Sequence, residues 1–238
     1  MTNADTYNID TYYREVHDDD RRSFPILSVR AGTAAPDFAL PSIDGGTIAL
    51  NDLLAKGHVV LIIGSFTAPP VLAQLPALET LSRTYGGRGF SFLFVYTREI
   101  HPGEVFPPHR TMEQKLEQAR RMRDHARITF PIVADDLAGT THRAYGNLPS
   151  FTYVIHKAGN VIYRSSWTQA ERIRDVLDNV LLQEQAEAEG KGGRLAFSEW
   201  VSFMPQESRE VWDLLDVAGP KARADYEREL PKRPRVSF

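Results

Sequence analysis

The stretch GSFTAPP, from Gly64 to Pro70, joins an apolar run to a helical pattern, and such a turn usually carries a reactive side chain. Here the candidate position is Ala68, whose methyl group has neither a lone pair nor a proton to lose. The chain contains no cysteine, which excludes disulfides, thiolate metal sites and any substitute thiol. Chemistry that requires a thiolate nucleophile is therefore excluded for the chain as written.

Other side chains could still move protons. Tyr96, Glu99 and His101 lie at or just after the end of a second apolar run, and His109 stands shortly before a predicted helix start. One carboxylate and two imidazoles can serve as general acid and base, a contribution of typically ~10²–10⁴ in rate. Glu99 could orient His101, or hold a proton if it is buried.

Hydroxyls and metal ligands offer weaker alternatives. Ser65 and Thr67 are predicted to cap the helix start, because neither has an evident activating partner in the sequence. His101, Glu104 and His109 are an alternative metal set, since imidazole and carboxylate suit Zn or Fe(II). Their spacing matches no compact metal motif, so no cofactor is predicted.

The elements that must position these groups alternate between strand and helix. A hairpin is predicted around the turn Asp44-Gly45-Gly46. Strands are predicted at His58–Ile63, Phe90–Tyr96, Thr129–Ala134, Phe151–His156 and Asn160–Arg164, and helices at 72–85, from Thr111, at Asp136–Tyr145 and at Gln169–Ala188. This order predicts an α/β fold, a three-layer sandwich with a mixed sheet.

The helix after Thr111 opens with a capping box, Thr111-x-x-Gln114, and shows a clear division of faces. Its predicted inner face carries Met112, Leu116, Ala119 and Met122. Its basic residues are predicted to form the solvated side: Lys115, Arg120, Arg121, Arg123 and Arg127. We therefore expect no nucleic-acid interface on this helix.

Composition sets the broad class. With 238 residues, 42% of them hydrophobic, the chain can bury a substantial core. The net charge of -3, with 25% charged residues, gives no electrostatic reason to expect nucleic acid as a partner. No apolar run approaches the about 18 residues of a membrane span, and the N-terminus lacks the pattern of a secretory signal. These features predict a cytoplasmic protein without a membrane partner.

Changes in composition along the chain predict three segments. Residues 1–30 are polar and form an N-terminal arm or a cover over another surface. Residues 31–189 form the α/β domain, which ends at a glycine-rich break from Gly190 to Gly193. Residues 190–238 form a C-terminal helical extension, with predicted helices at Ser208–Val217 and Lys221–Leu230.

The element order resembles that of thioredoxin-like proteins. In that fold a proline, usually cis, precedes an antiparallel strand and faces the active-site turn, and Leu148-Pro149 matches its position. The stretch AGTAAPDFALPSIDGGTIALNDL, with its hairpin, resembles the opening of redoxins of the peroxiredoxin and alkyl hydroperoxide reductase type.

A closer resemblance is to the iodothyronine deiodinase family, over roughly residues 32–185. It is carried by the stretches GSFTAPP, FVYTREIHP, PPHRTMEQKLEQARRM and IVADDLAGTTHRAYGNLPSFTYVIHKAGNVIY. The resemblance implies that Ala68 occupies the selenocysteine position, and that Tyr96, Glu99, His101 and His109 line a substrate pocket and deliver protons. It also implies a homodimer. The family's N-terminal membrane segment has no counterpart in this sequence.

Three explanations of Ala68 stay open: an engineered replacement of Cys or Sec, a natural enzyme that needs no chalcogen, and a non-catalytic pseudoenzyme that binds a ligand or partner. Our leading hypothesis is an enzyme for a small aromatic or otherwise apolar molecule. Its acid–base residues would be Glu99, His101 and His109, supported by Tyr96 and Ser65. Its substrate contacts would come from Phe66, Thr67, Phe106 and Pro149, and Ala68 would mark the position of the family nucleophile.

Overall fold

A six-stranded mixed sheet forms the centre of the computed structural model, which describes residues 7–202 and 208–230. Its strands are β3 (His58–Gly64), β4 (Phe90–Tyr96), β5 (Ile132–Ala134), β6 (Phe151–Ile155), β7 (Val161–Ser165) and β8 (Ser198–Trp200). They lie in the order β5-β4-β3-β6-β7-β8. Strands β3, β4 and β5 are parallel, β6 runs antiparallel to both neighbours, and β8 is parallel to β7.

The two central strands are apolar because both of their faces are covered. All seven residues of β3 are buried, and only Ser91 of β4 is partly exposed. One face packs on a core that includes Ile62 and Phe94, and the other on a core that includes Leu61 and Val95. Helices cover both cores, which confirms the predicted three-layer sandwich.

The helices are α1 (Arg14–Leu27), α2 (Leu50–Leu54), α3 (Pro69–Leu72), α4 (Leu75–Tyr85), α5 (Met112–Ala126), α6 (Thr140–Tyr145), α7 (Ala170–Ala188), α8 (Ser208–Ala218) and α9 (Pro220–Glu229). Helices α4, α5 and α7 pack in the core that includes Ile62 and Phe94. Helices α1, α2 and α6 pack in the core that includes Leu61 and Val95. In the part of the chain that the structure describes, no helix has both the length and the apolarity needed to cross a membrane.

The predicted hairpin is formed by β1 (Ala39–Pro41) and β2 (Thr47–Ala49), which pair antiparallel. Its turn requires Gly45 and Gly46, whose φ angles of 95° and 73° are easily adopted only without a side chain. A bridge from Ser42 to Val133 attaches the hairpin to the edge of the main sheet. The predicted hairpin is therefore confirmed.

Local chemistry shortens several predicted elements. The helix predicted over 72–85 begins only at Leu75, as α4, because Pro76 in its first turn has no N–H to donate to the preceding turn. Strand β5 begins only after Pro131, and α6 begins only at Thr140, after the left-handed Gly139. The strand boundaries predicted from continuous apolar runs agree best with the structure.

One residue on α5 contradicts the predicted division of its faces. Lys115, assigned above to the solvated side, is fully buried. Its ammonium group donates to the carbonyl of Asp136 at 3.1 Å and lies 5.7 Å from the centre of the Tyr7 ring. The prediction was wrong because the long lysine side chain buries its methylene groups while its charged end reaches a backbone carbonyl in the neighbouring loop.

The chain ends contribute to the same body. Helix α1 lies within the predicted arm and buries His17 and Phe24, while residues 1–6 of that arm lie outside the described residues. Strand β8, from the predicted extension, adds an unpredicted edge to the sheet. Helices α8 and α9 occupy the predicted positions, and residues 203–207 and 231–238 lie outside the described residues. The boundaries at 30 and 189 stay predictions.

Candidate functional site

The turn after β3 places Ala68 where the sequence predicts the reactive position. Ala68 precedes α3 in an extended conformation (φ −100°, ψ 93°), and its side chain is fully buried in the core. Phe66 stacks on Phe106 with the ring centroids 3.8 Å apart, so both rings fill space beside the turn. Ser65 is buried, and its Oγ has no hydrogen-bond partner within the described chain.

Glu99 ties this turn to the loop after β4. Its Oε2 accepts hydrogen bonds from the backbone N–H of Thr67 at 3.0 Å and from the Thr67 hydroxyl at 2.6 Å. Its Oε1 accepts a hydrogen bond from the Tyr96 hydroxyl. The register of the sheet explains the meeting, since Gly64 at the end of β3 pairs with Tyr96 at the end of β4.

His109 completes this buried group. Its Nε2 lies 3.6 Å from Oε1 of Glu99 and 3.0 Å from Oε1 of Gln118, on α5. Burial raises the pKa of Tyr96 well above 10, and the charge and hydrogen bond of Glu99 raise it further. The phenol therefore stays protonated and donates to the carboxylate. We call Thr67, Tyr96, Glu99 and His109 the carboxylate cluster.

Thr67 does not cap the helix. Its Oγ1 accepts hydrogen bonds from the backbone N–H groups of Ile100 at 2.9 Å and His101 at 3.1 Å. The predicted capping role was therefore wrong, because the hydroxyl bonds the neighbouring loop instead of the start of α3. No side-chain cap is formed there by Ser65 either.

His101 lies apart from the carboxylate cluster. Its ring contacts Tyr12, with centroids 4.3 Å apart, and Tyr226 of α9 at 5.4 Å. Burial and, to a smaller extent, the positive charge of Arg21 lower its pKa to about 3, while Asp225 opposes this shift. Its Nδ1 has no hydrogen-bond partner among the described residues. The structure thus brings Glu99 and His109 together and turns His101 toward another space.

That space is a small cavity of about 50 Å³, enough for a few water molecules. Its walls are Tyr12, His17, Arg21, Pro69, Pro70, Ile100, His101, Leu148, Pro149, Ser150, Ser166 and Trp167. Pro149 faces the turn as the resemblance implies. However, no peptide bond in the described ranges is cis, and trans is the commoner state of such bonds.

Sequence reasoning missed the contribution of the N-terminal residues to this cavity. Tyr12 stacks on His17 with the centroids 5.1 Å apart, and both are buried beside His101. The spacing of His17, Arg21 and Phe24 is helical and could have predicted an inward face for α1. No pattern in the sequence could have shown which surface that face covers.

The alternative metal set does not assemble. The carboxylate of Glu104 accepts from the backbone N–H of Lys221 at 3.1 Å, while His101 and His109 occupy separate surroundings. Across residues 7–202 and 208–230, no group of three His, Cys, Asp or Glu side chains is suitably placed for a metal ion. The metal hypothesis therefore has no geometric support.

These features define a thioredoxin-like protein with alanine at the nucleophile position. A family model described as AhpC/TSA family matches residues 31–164, and the chain belongs to that family. Among curated proteins, thyroxine 5-deiodinase from Rattus norvegicus is 32% identical over 115 residues, covering 44% of this chain and 37% of the relative. Thyroxine 5-deiodinase from Aquarana catesbeiana is 30% identical over 176 residues, covering 69% and 64%. The chain thus spans less than two thirds of either relative, and the predicted resemblance is confirmed.

Solved structures agree on the fold. A protein described as a thiol:disulfide interchange protein, DsbE from Chlorobium tepidum, is 21% identical with a TM-score of 0.52, covering 65% of this chain and 98% of its own. An uncharacterized conserved protein from Geobacillus kaustophilus is 20% identical with a TM-score of 0.54, covering 74% and 94%. At these identities the similarity establishes the thioredoxin-like fold alone.

Proposed function

We propose that the protein is an enzyme that works without a thiol. It binds a small aromatic or otherwise apolar molecule in the cavity beside Pro69 and Pro149, and His101 performs acid–base work there. The observation that carries this proposal is the His101 imidazole, buried in the cavity wall with no partner for its Nδ1 among the described residues. A neutral ring with a free nitrogen can exchange a proton or a hydrogen bond with a ligand.

The composition of the walls favours the ligand class. Prolines, Ile100 and Trp167 offer apolar surface, and Ser150 and Ser166 offer hydroxyl groups. Pockets for small molecules typically combine an apolar lining with a few polar groups that fix orientation. The cavity is partly open but holds only a few water molecules, so a larger ligand enters when part of its wall moves.

The basic strength of His101 depends on that movement. A base with a pKa of about 3 holds a proton poorly at neutral pH. Burial is the main cause of the low pKa, so water or a polar ligand group in the cavity brings it back toward the ordinary value near 6.5. His101 therefore becomes an effective base only when the site is occupied or open.

In this proposal the carboxylate cluster positions the site. Glu99 and Thr67 hold the turn after β3 against the loop that carries His101. Both oxygens of Glu99 accept hydrogen bonds inside the protein, which favours a structural role for Glu99 over the direct proton transfer predicted above. Nδ1 of His109 has no partner among the described residues, so the predicted acid–base role of His109 stays part of the proposal. Phe66 and Phe106 support the turn from within the core.

Thyroxine, which the relatives' name contains, and 4-iodophenol are suitable first probes because both present an aromatic ring. Calorimetric titration should detect binding to the wild-type chain and at least about tenfold weaker binding to His101→Phe. His156→Phe is the matched control, because His156 lies at the other end of β6, and should bind as the wild type does.

Equal affinities for the two variants, or no binding of either probe to the wild type, would contradict the proposal. If a probe binds but mass spectrometry detects no product, the result would favour the pseudoenzyme alternative instead. In that case the cavity would serve recognition only.

A further inference from the structure

The N-terminal residues form one side of the cavity wall. Residues 7–21, which we call the N-terminal lid, place Tyr12, His17 and Arg21 in the cavity wall. All of these lie outside residues 31–164, the part matched by the family model. The lid therefore adds to a site in which most of the other wall residues, such as Pro69 and Pro149, lie in the matched part.

The lid has a natural boundary in α1. Pro25 lies inside this helix and has no N–H to donate to the carbonyl of Arg21, four residues earlier. Phe24 is fully buried and packs against Phe151 in the core. A hinge between Arg21 and Phe24 would let the lid move while the end of α1 stays in place.

Polar contacts hold the lid closed. Tyr7 donates its hydroxyl to Nδ1 of His142 at 2.6 Å, and Lys221 donates to the carbonyl of Asp10 at 2.6 Å. Near the hinge, Asp20 pairs with Arg98 at 2.7 Å. These contacts cross from the lid to separate parts of the body, so the closed position is well defined.

Inside the closed lid, a second buried histidine is unsatisfied. Neither ring nitrogen of His17 has a hydrogen-bond partner in the described part of the chain, although the residue is 1% exposed. Leaving buried polar groups without partners costs free energy. Together with Nδ1 of His101, this places three imidazole nitrogens that have no protein partner among the described residues beside one cavity.

We propose that the N-terminal lid opens and closes over the cavity, and that proton uptake by His17 and His101 drives it open. Burial lowers the pKa of both histidines; Arg98, His101 and Arg21 lower that of His17 further, and Arg21 contributes to the low pKa of His101. Because an open lid returns both rings to water, the open form binds more protons below about pH 6.5. Acid therefore favours opening.

Other charged groups at this interface modify the response. Asp225 of α9 favours protonated His101 and so weakens the effect. Burial raises the pKa of Asp20, so protonation of this carboxyl favours the closed form as the pH falls, against the histidines. The neighbouring phenols of Tyr12 and Tyr226 are uncharged in this pH range. Two histidines together can raise the open-to-closed ratio by up to about a hundredfold per pH unit.

The absence of cysteine permits a direct test in the full chain without any ligand. One nitroxide label is attached at Asp19→Cys, exposed on the lid side of the hinge, and the other at Glu113→Cys, exposed on α5. Double electron–electron resonance then measures the distance between the two labels. We expect one distance at pH 7.5 and a growing second distance as the pH falls to 5. His17→Phe should remove most of this change, and His101→Phe provides an independent second variant.

His156→Phe is the matched control and should respond to acid as the wild type does. An unchanged distance down to pH 5 would overturn the proposal, as would a full response in both His17→Phe and His101→Phe. Loss of the far-ultraviolet helix signal in the same pH interval would also overturn it, because the whole chain would then be responding. None of these outcomes depends on the proposed enzyme activity.

Discussion

Glu99 is the residue on which the geometry of the turn depends most. Glu99→Gln keeps the size of the side chain but replaces one acceptor oxygen with a donor, facing the donors of Thr67 and Tyr96. Hydrogen bonds to a buried charge contribute about 1.5–3 kcal/mol, so we expect a loss of about 2–3 kcal/mol in the free energy of unfolding. Urea denaturation at pH 7 measures this loss. Glu113→Gln, on the exposed surface of α5, should change stability by less than about 0.5 kcal/mol.

Ala68 makes a second prediction at the residue scale. Its side chain is fully buried, and burial in apolar surroundings raises the pKa of a thiol and blocks access to it. The sole thiol of Ala68→Cys should therefore react with an aromatic disulfide reagent at least about tenfold more slowly than that of Asp19→Cys, which is exposed. Equal rates at pH 7.5 would show that the turn is open in solution.

At the scale of a helix, α5 depends on its capping box. Thr111 accepts from the backbone N–H of Gln114 at 3.2 Å, and the Gln114 side chain accepts from the backbone N–H of Thr111 at 3.3 Å. Removing such a cap costs about 1 kcal/mol, so Thr111→Ala should lower the free energy of unfolding by about that amount. Thr84→Ala, within α4, is the control and should not destabilise, since alanine has the higher helix propensity. An equal loss in both variants would contradict the assignment of the cap.

The elements were largely predictable because their signals are local. A continuous apolar run such as His58–Ile63 needs only its own residues to indicate a buried strand. The capping box is local in the same way. Strand β8 was not predictable, since residues 198–200 are mostly exposed and gain their structure only by pairing with β7.

The site was predictable only in part. The meeting of Glu99 with the turn follows from two parallel strands that end at the same edge of the sheet. The separation of His101 from Glu99 did not follow, because residues two apart in a loop have no fixed periodicity. The lid depends on contacts such as Tyr7 with His142, 135 residues apart, and no local pattern indicates them.

At the scale of the whole molecule, Lys115 joins three segments: α5, the loop after β5 and the lid residue Tyr7. Burial lowers its pKa from 10.5 to about 8, so the folded protein bears a cost for keeping this amine charged at pH 7. A shift of this size corresponds to about 3 kcal/mol, part of which the hydrogen bond to Asp136 offsets.

This cost predicts how stability changes with pH. Between pH 8 and 10.5 the folded lysine is neutral while the unfolded one is charged, so the unfolded chain binds more protons and the folded chain gains stability as the pH rises. Lys115→Met lacks this gain. We expect it to exceed the wild type in free energy of unfolding by about 1–2 kcal/mol at pH 7, and to lose that advantage by at most about 1.4 kcal/mol per pH unit above pH 8.

Urea denaturation of the wild type and Lys115→Met at pH 7, 8, 9 and 10 measures the difference. Lys56→Met, at an exposed position, is the control and should show a difference that stays constant with pH. A constant difference for Lys115→Met as well would mean that the amine reaches solvent. The lid residue Tyr7 would then not exclude water from the Lys115 amine, and the closed position of the lid would be less populated than its contacts indicate.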